Sequence, residues 1–318
     1  MSDSSSIRKV YDNVPAWLQN LMVSIEGWRL NHWRFAGRRA RQWWRFYDDV
    51  LGWTQRQHED YQRAELCRVV RYAYEHVPFY RQRFDDIGLS PGDFHGPEDL
   101  PEIPLLEKDD IRAAGESMIS DEYRVKDLRV NLTSGSSGLP LKIYESREAA
   151  RRNFILRWTR CRPGVHRKSR RCTFTGIDII NPNQNRPPYW RMNYASNQRI
   201  YSVFHMSEQT MGTYVSDLAR FKPELIYGYP SALYILGDFM LRHDLSLGYQ
   251  PTCLVTSSEQ CLPEYKKVAE RAFGAKQWDE YGQGERVGLA FPCPCGLMHE
   301  VPEYAYMEFI PTGERTED

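Results

Sequence analysis

The 318 residues carry 42 basic and 42 acidic side chains, 41% hydrophobic residues and 13% aromatics. This is enough apolar material for a buried core, and the balanced charge does not imply whole-molecule attraction to nucleic acid or anionic membrane, so any charge argument must be local. The opening MSDSSSIRKVYDNVP holds an acid and no apolar run, and nowhere do about eighteen apolar residues follow one another. The sequence therefore reads as cytoplasmic, without a secretory signal or a spanning helix. Seven scattered cysteines argue for reduced thiols over a disulfide framework.

In chain order, Asp12 to about Phe84 reads as helical. In RAELCRVVRYAYEHV the residues Leu66, Val69, Val70, Ala73 and Val77 recur at helical spacing, and Pro78 discourages continuation. GLSPGDFHGPEDLPEIPLLEKDDI is dense in Pro, Gly and Asp and reads as an ordered loop. This places a boundary near residue 95, with a helical segment at 1–95 and a core at 96–318.

Beyond it, short apolar runs alternate with amphipathic segments. DLRVNL and LKIYE read as strands flanking the loop LTSGSSGLP. ELIYG precedes a helix that starts at Pro230, TCLVTSS precedes EQCLPEYKKVAERAF, and KQWDEYG follows as a further strand. Strand, helix, strand, helix, strand predicts an α/β core with parallel pairing. Ligands in such sheets favour the loops at the strands' C-terminal ends, which is where YGYPS, SSEQ and YGQGE fall.

The loop from Thr133 to Gly138 is chemically suited to phosphate. Its glycines let successive backbone N–H groups face an anion, Thr133, Ser134, Ser136 and Ser137 add hydroxyls, and Lys142 adds a point charge. It is not the familiar phosphate loop of nucleotide hydrolases: Gly135 and Gly138 are too close, Lys142 does not follow a glycine, and the loop joins two strands. Composition alone leaves a solvated Gly/Ser connection equally open.

The order LTSGSSGLPLK, YGYPSAL, TSSE, DEYGQGE resembles the adenylate-forming superfamily of acyl-CoA synthetases and ligases, and within it the phenylacetate–CoA ligase family with its CapK-type capsular polysaccharide branch. VPAWLQNLMVSIEGW, LCRVVRYAYEHVPFYRQRFDDIG and LPEIPLLEKDDIR are similar to that branch's opening, so the resemblance covers nearly the whole chain. It implies an α/β fold, the large N-terminal domain of an adenylate-forming enzyme with parallel βα sheets and an N-terminal helical segment. The implied reaction is activation of a carboxylic acid by ATP as an acyl-adenylate, with transfer to coenzyme A or to a glycan or amine acceptor.

The resemblance also assigns roles by position. Thr133, Ser134, Gly135, Ser136, Ser137 and Gly138 would hold the β- and γ-phosphates with Lys142 nearby. DEYGQGE matches the family's Tyr-Gly-x-[ST]-Glu pattern, with Glu280, Tyr281 and Gly282 beside the adenosine and Glu285 supporting Mg2+. Gly284 stands where a threonine or serine is usual and removes a hydroxyl expected near the α-phosphate. Ser257, Ser258 and Glu259 match the segment that contacts adenine. Trp158, Phe204, His205, Tyr227, Gly228, Tyr229 and Pro230 are placed to wall the acyl group, although core packing explains any single aromatic as well. Family members continue into a small C-terminal lid. FIPTGERTED ends where the next strand and a ribose-binding Asp are expected, so the lid is expected to be absent from this chain.

Other features carry rival readings. FPCPCGLMHE sets Cys293, Cys295 and His299 within seven residues and Cys261 is a fourth donor by position, a pattern suited to zinc, although C-x-C is tighter than the usual spacing. Some members of the resembled family carry cysteine-bound zinc hereabouts; free thiols and a loop histidine are the alternative. Arg151 to Arg171 holds nine Lys/Arg and no acid, and WRLNHWRFAGRRARQWWRF holds four Trp and six Arg and no acid. The first reads as the charged face of a helix or an attraction for phosphates, the second as tryptophans packed on the core or an interface with anionic lipid at the inner face of a membrane. A catalytically degenerate homologue that only binds ligand, and a basic module for membrane or nucleic acid, are the functional rivals. No nucleic-acid motif supports the last of these.

Overall fold

The computed structural model describes residues 2–132, 140–160, 164–293 and 295–309. In chain order the helices are α1 (Ser2–Asn13), α2 (Ala16–Phe35), α3 (Gly37–Asp49), α4 (Gln55–His76), α5 (Pro78–Asp86), α6 (Lys108–Ala114), α7 (Arg147–Arg160), α8 (Met211–Phe221), α9 (Pro230–Arg242) and α10 (Pro263–Phe273). The strands are β1 (Arg129–Leu132), β2 (Lys142–Glu145), β3 (Arg171–Thr175), β4 (Trp190–Asn193), β5 (Gln198–Ser202), β6 (Leu225–Gly228), β7 (Cys253–Ser257), β8 (Gln277–Gly282), β9 (Leu289–Pro292) and β10 (Met298–Glu300). The expected α/β class and the strand–helix alternation from ELIYG to KQWDEYG are present as read.

Two compact units result. The first comprises Met1–Arg45, Arg151–Tyr281 and Phe291–Met298, the second Phe46–Ala150, Gly282–Ala290 and His299–Asp318.

The first unit is built on the sheet whose strand order is β10-β9-β8-β7-β6-β3-β5-β4. Strands β8, β7, β6, β3 and β5 are mutually parallel and β4 runs antiparallel on the β5 edge. All five residues of β7 are buried, the continuous apolar signature of a strand covered on both faces. One face carries Phe174, Tyr201, Tyr214, Leu218, Leu233, Leu236, Met240, Leu254 and Phe273 in a single cluster. The other carries Leu225, Cys253 and Val255, with Trp158, Tyr227 and Trp278 packed on them. After β5 the chain passes beyond β3 to build β6, β7 and β8 on its other side, so the strand order reverses around β3.

The outer edge β4 is covered by α2 using polar side chains. Asn20 Oδ1 accepts from the Met192 N–H at 2.9 Å, Ser24 Oγ accepts from the Tyr194 N–H at 2.9 Å, and Asn31 Nδ2 donates to the Ala195 carbonyl at 3.1 Å. These bonds do for the edge what a further strand would do. Arg191, 2% exposed, donates to Gln19 Oε1 and to the carbonyls of Pro188 and Trp190.

In the second unit α4 starts at a capping box, in which Thr54 Oγ1 accepts from the Gln57 N–H and Gln57 Oε1 accepts from the Thr54 N–H. Val70, Phe84, Leu89 and Phe94 form its core with Leu66, Tyr74 and Tyr80 around them. β1 and β2 pair antiparallel, Leu132 opposite Lys142. The loop between them is therefore framed by two strands, as the sequence indicated.

Candidate functional site

Parallel strands end together, so the residues that follow β6, β7 and β8 share one edge of the first unit. The register sets Gly228 beside Thr256 and Ser257 beside Glu280. YGYP, SSE and DEYG thus leave the sheet from neighbouring strands, next to the point where the strand order reverses. That is the position where open parallel sheets bind ligands.

Backbone geometry at this edge is constrained by sequence. A Cβ on Gly228 would lie 2.8 Å from the Phe174 carbonyl oxygen and 2.9 Å from Phe174 Cβ. Only glycine lets β6 pass β3 so closely. The Tyr229 N–H then donates to the same Phe174 carbonyl at 2.9 Å, and Pro230 opens α9 at its first turn, where a missing N–H costs nothing. Ser258 follows β7 with φ +75°, a conformation that side chains rarely adopt. This turn presents Glu259, whose Oε2 accepts from Ser231 Oγ at 2.6 Å and from the Ser231 N–H at 3.3 Å in α9's first turn. The loops after β6 and β7 are thereby tied together.

The carboxylates of β8 differ in surroundings. Glu280, 3% exposed, pairs through Oε1 with Arg157 of α7 and accepts from the Tyr227 hydroxyl at 3.2 Å. A buried carboxylate oxygen normally has a donor, and its Oε2 is buried with none among the described residues. Asp279 accepts from Thr256 Oγ1 at 2.6 Å, yet burial pushes its carboxyl above the usual range and the neighbouring Glu280 charge adds to this. Gln277 Nε2 donates to Thr256 Oγ1 at 3.1 Å and to Cys261 Sγ at 3.0 Å. Burial raises the Cys261 thiol as well. Tyr281 is exposed at the end of the strand.

Of the side chains placed around the acyl group, Trp158 and Tyr227 pack together on the Leu225, Cys253 and Val255 cluster. Tyr229 belongs to the opposite cluster, and its hydroxyl faces Gly176 at the end of β3. Phe204 is 68% exposed after β5. His205 shares a hydrogen bond with Ser202 Oγ through Nδ1 at 2.8 Å and stacks on Tyr189, while its Nε2 is buried without a hydrogen-bond partner among the described residues.

Lys142, Gly282 and Glu285 lie in the second unit. Lys142 is exposed, with Nζ 5.0 Å from the centre of the Tyr144 ring, and Tyr144 raises its basicity. Glu285 is half-buried on a turn closed by the Arg286 N–H on the Gln283 carbonyl at 3.2 Å. Arg286, at φ +64°, fixes that turn by donating to Glu145 Oε1 of β2 at 2.8 Å. A Cβ on Gly284 would lie 3.3 Å from Ile143 Cδ1, so the residue that departs from the family pattern fits beneath this isoleucine. Thr133, Ser134, Gly135, Ser136, Ser137 and Gly138 lie outside the described residues.

Among the described residues no group of three or more His, Cys, Asp or Glu side chains is arranged to hold a metal ion. The geometry therefore gives no support to zinc at Cys261, Cys293, Cys295 and His299. Cys293 instead closes a tight turn, accepting from the Gly296 N–H at 2.9 Å and donating its own N–H to Leu297 at 2.8 Å. A magnesium held only by Glu285 and a bound polyphosphate needs no such cluster, because Mg2+ characteristically takes one or two carboxylates with phosphate and water.

Several participants were not among the residues nominated from sequence: Arg157, Ser231, Thr256, Gln277 and Asp279. Arg157 sits in the acid-free stretch from Arg151 to Arg171, and that charge run was the available signal. Which of its nine cations meets a carboxylate depends on the helix's rotation against the sheet.

No family model matches the chain. Its fold is shared with part of a solved CoA ligase. A solved structure of 2-hydroxyisobutyryl-CoA ligase in an open conformation, in complex with 2-HIB-AMP and CoA, superposes with a TM-score of 0.54 at 20% identity, over 73% of this chain and 54% of that one. In sequence the chain is similar to Protein CapK of Staphylococcus aureus, 23% identical over 280 residues that cover 87% of this chain and 60% of CapK. It is also similar to the phenylacetate–coenzyme A ligase of Thermus thermophilus, 28% identical over 248 residues, 74% of this chain and 52% of the ligase. The chain is thus similar in sequence to phenylacetate–coenzyme A ligases and to CapK, and similar in fold to part of a solved CoA ligase. The chain spans between about half and three-fifths of the length of these curated relatives.

Proposed function

We propose that this chain binds ATP and a carboxylic acid for the formation of an acyl-adenylate, the first half of an AMP-forming acid–thiol ligase reaction. One observation carries the reading: the segments after β6, β7 and β8 leave one sheet edge in register, with Ser231 bonded to Glu259 and the buried Oε2 of Glu280 lacking a partner among the described residues. An acceptor oxygen buried at the end of parallel strands fits a planar nucleobase with amino donors better than a purely apolar ligand.

In this reading Ser257, Ser258, Glu259, Glu280, Tyr281 and Gly282 surround the nucleoside. The loop at 133–138 and Lys142 take the phosphates, and Glu285 supplies one oxygen to a magnesium that neutralises them. A carboxylate oxygen of the acid attacks the α-phosphorus, the bond to the β-phosphate oxygen breaks and pyrophosphate leaves. No general base is required because the acid is already ionised, so positioning and charge neutralisation account for the catalysis. Trp158, Phe204, His205, Tyr227, Gly228, Tyr229 and Pro230 are proposed to shape the acyl side. Coenzyme A is the preferred acceptor because the named relatives are coenzyme A ligases; the likeness to CapK keeps a glycan or amine in view. A cytoplasmic setting follows from the same substrates.

Calorimetric titration with ATP and AMP, with and without Mg2+, tests this directly. Saturable binding is expected, with a magnesium dependence that falls in Glu285→Gln. A folded sample that binds neither nucleotide would sink the proposal. A degenerate, binding-only homologue is the second reading, favoured by Gly284; saturable nucleotide binding without acid-dependent pyrophosphate exchange would select it.

A further inference from the structure

Helix α2 is amphipathic in the reverse of the usual sense. Its sheet-facing side is largely polar or small: Gln19, Ser24 and Gly27 are buried, Asn20, Ser24 and Asn31 bond to the β4 edge and the turn after it, and Val23 packs on Ile179, Ile180 and Ile200. Four large apolar side chains point outward instead. Trp17 is 67% exposed, Leu21 48%, Ile25 60% and Trp28 64%. At spacings of four, four and three residues these four share one helical stripe, about 16 Å long at 1.5 Å per residue. His32 continues it, stacked on Trp28 with ring centres 5.7 Å apart. Ile7 and Val10 of α1 are also exposed. A monomer surface scatters single apolar residues, but a row of large ones opposite a satisfied polar face calls for a partner.

Charge selects that partner. From Gly27 to Phe46 there are six arginines and no acid. The one acid of α2, Glu26, is neutralised by Arg29 at 2.6 Å. Arg38, Arg41 and Arg45 of α3 are exposed. Exposed tryptophans on an apolar stripe, together with the exposed Arg38, Arg41 and Arg45 of α3, match the interfacial region of an anionic bilayer, where indole rings sit among headgroups and guanidinium groups meet phosphate. Among the described residues no helix is long and apolar enough to cross a membrane, so contact is limited to one leaflet. We propose that the outward face of α2, Trp17, Leu21, Ile25 and Trp28, with the arginines of α3, docks this protein onto an anionic membrane surface. The proposal does not depend on the ligase reading: α2 makes its named bonds to β4, on the far side of β3 from β7 and β8.

The test is co-sedimentation of the 318-residue chain with vesicles of phosphatidylethanolamine and phosphatidylglycerol, and with vesicles of phosphatidylcholine alone, at low and high salt. Binding to the anionic vesicles at least tenfold above the neutral ones, weakened by salt, is expected. The double variant Trp17→Glu/Trp28→Glu should lose at least tenfold in partitioning, and Arg38→Gln/Arg41→Gln/Arg45→Gln should lose most of the salt-sensitive part. Both are surface changes, and unchanged circular dichroism and melting temperature would establish that the variants are folded. Absence of vesicle binding by the folded parent, or binding unaffected by the tryptophan changes, overturns the proposal. So does a dimer in light scattering that the tryptophan changes disperse, because the stripe would then be a contact between two copies of the chain.

Discussion

Two edges of the first unit bury polar side chains, and they do so to different ends. At the β4 edge, Gln19, Asn20, Ser24 and Asn31 face mostly backbone groups and Arg191, with Ser196 Oγ a further partner of Asn31. The bonds they make cover most of an edge that would otherwise be bare, although Asn193 Oδ1 is buried without a hydrogen-bond partner among the described residues. Towards the C-terminal ends of β7 and β8, Thr256, Asp279 and Glu280, with Gln277 from the start of β8, bond mostly to one another and to Arg157 and Tyr227. There a carboxylate oxygen is left buried without a hydrogen-bond partner among the described residues. Buried polarity alone therefore does not mark a site. Among the described residues each edge leaves an acceptor over, Asn193 Oδ1 at the first and Glu280 Oε2 at the second, and what sets the second apart is that its acceptor is a carboxylate at the ends of parallel strands with side chains as its neighbours.

Glu280→Ala should expose the contrast most strongly. It takes the Glu280 carboxylate away from the mostly buried Arg157 guanidinium, a loss of about 3–5 kcal/mol in urea denaturation. Glu280→Gln, which keeps the shape and an acceptor for Tyr227, should recover much of that stability while still weakening nucleotide binding. A Glu280→Gln variant with the parent's nucleotide affinity would reduce the pair to a structural one. Gly228→Ala comes next: with Phe174 atoms at 2.8 and 2.9 Å from the new Cβ, overpacking should cost about 1–3 kcal/mol by thermal melting. On the covering edge, Gln19→Ala removes one acceptor of the buried Arg191 and should cost about 1–2 kcal/mol. Nucleotide titration of this variant should match the parent.

The two edges were unequally legible in the sequence. The strand-to-helix transitions at Pro230 and Pro263 were readable because period-two and period-3.6 patterns meet there at a proline suited to a helix's first turn. Tyr281, Glu259 and Ser257 could be nominated only together, as a constellation whose members are each weak alone. The Arg157–Glu280 pair was not, because i,i+3 spacing fixes a helix's stripes but not which stripe meets which strand. The orientation of α2 was hidden for another reason. AWLQNLMVSIEGWRLNHWRF reads as a core-facing amphipath, and the rule that apolar faces pack inward puts Trp28 on the core. An uncovered sheet edge demands hydrogen bonds before it accepts hydrophobes, and that requirement turns the helix over.

Acid–base behaviour separates the edges further, with a smaller effect. Among the side chains that join α2 to β4, Gln19, Asn20, Ser24 and Asn31 do not titrate, whereas Asp279 is a carboxyl raised from 3.8 chiefly by burial, with the adjacent Glu280 adding to it and Thr256 opposing. A carboxyl whose folded pKa exceeds its unfolded value makes the folded chain the stronger proton binder. Its contribution is then complete below about pH 4 and is lost as the pH rises through the folded value. Asp279→Asn retains an oxygen for the Thr256 hydroxyl and cannot ionise. The melting temperature of this variant relative to the parent should therefore be level below pH 4, climb as the pH is raised from there, and level off again once Asp279 is charged. A difference that stayed flat from pH 3 to pH 7 would mean that Asp279 ionises as readily in the folded chain as in the unfolded one, and the edge that ends β8 would be wetter than its burial implies. The same titration repeated with saturating ATP should steepen the climb, because a polyphosphate or adenylate near that edge adds negative charge and further disfavours a second anion at Asp279.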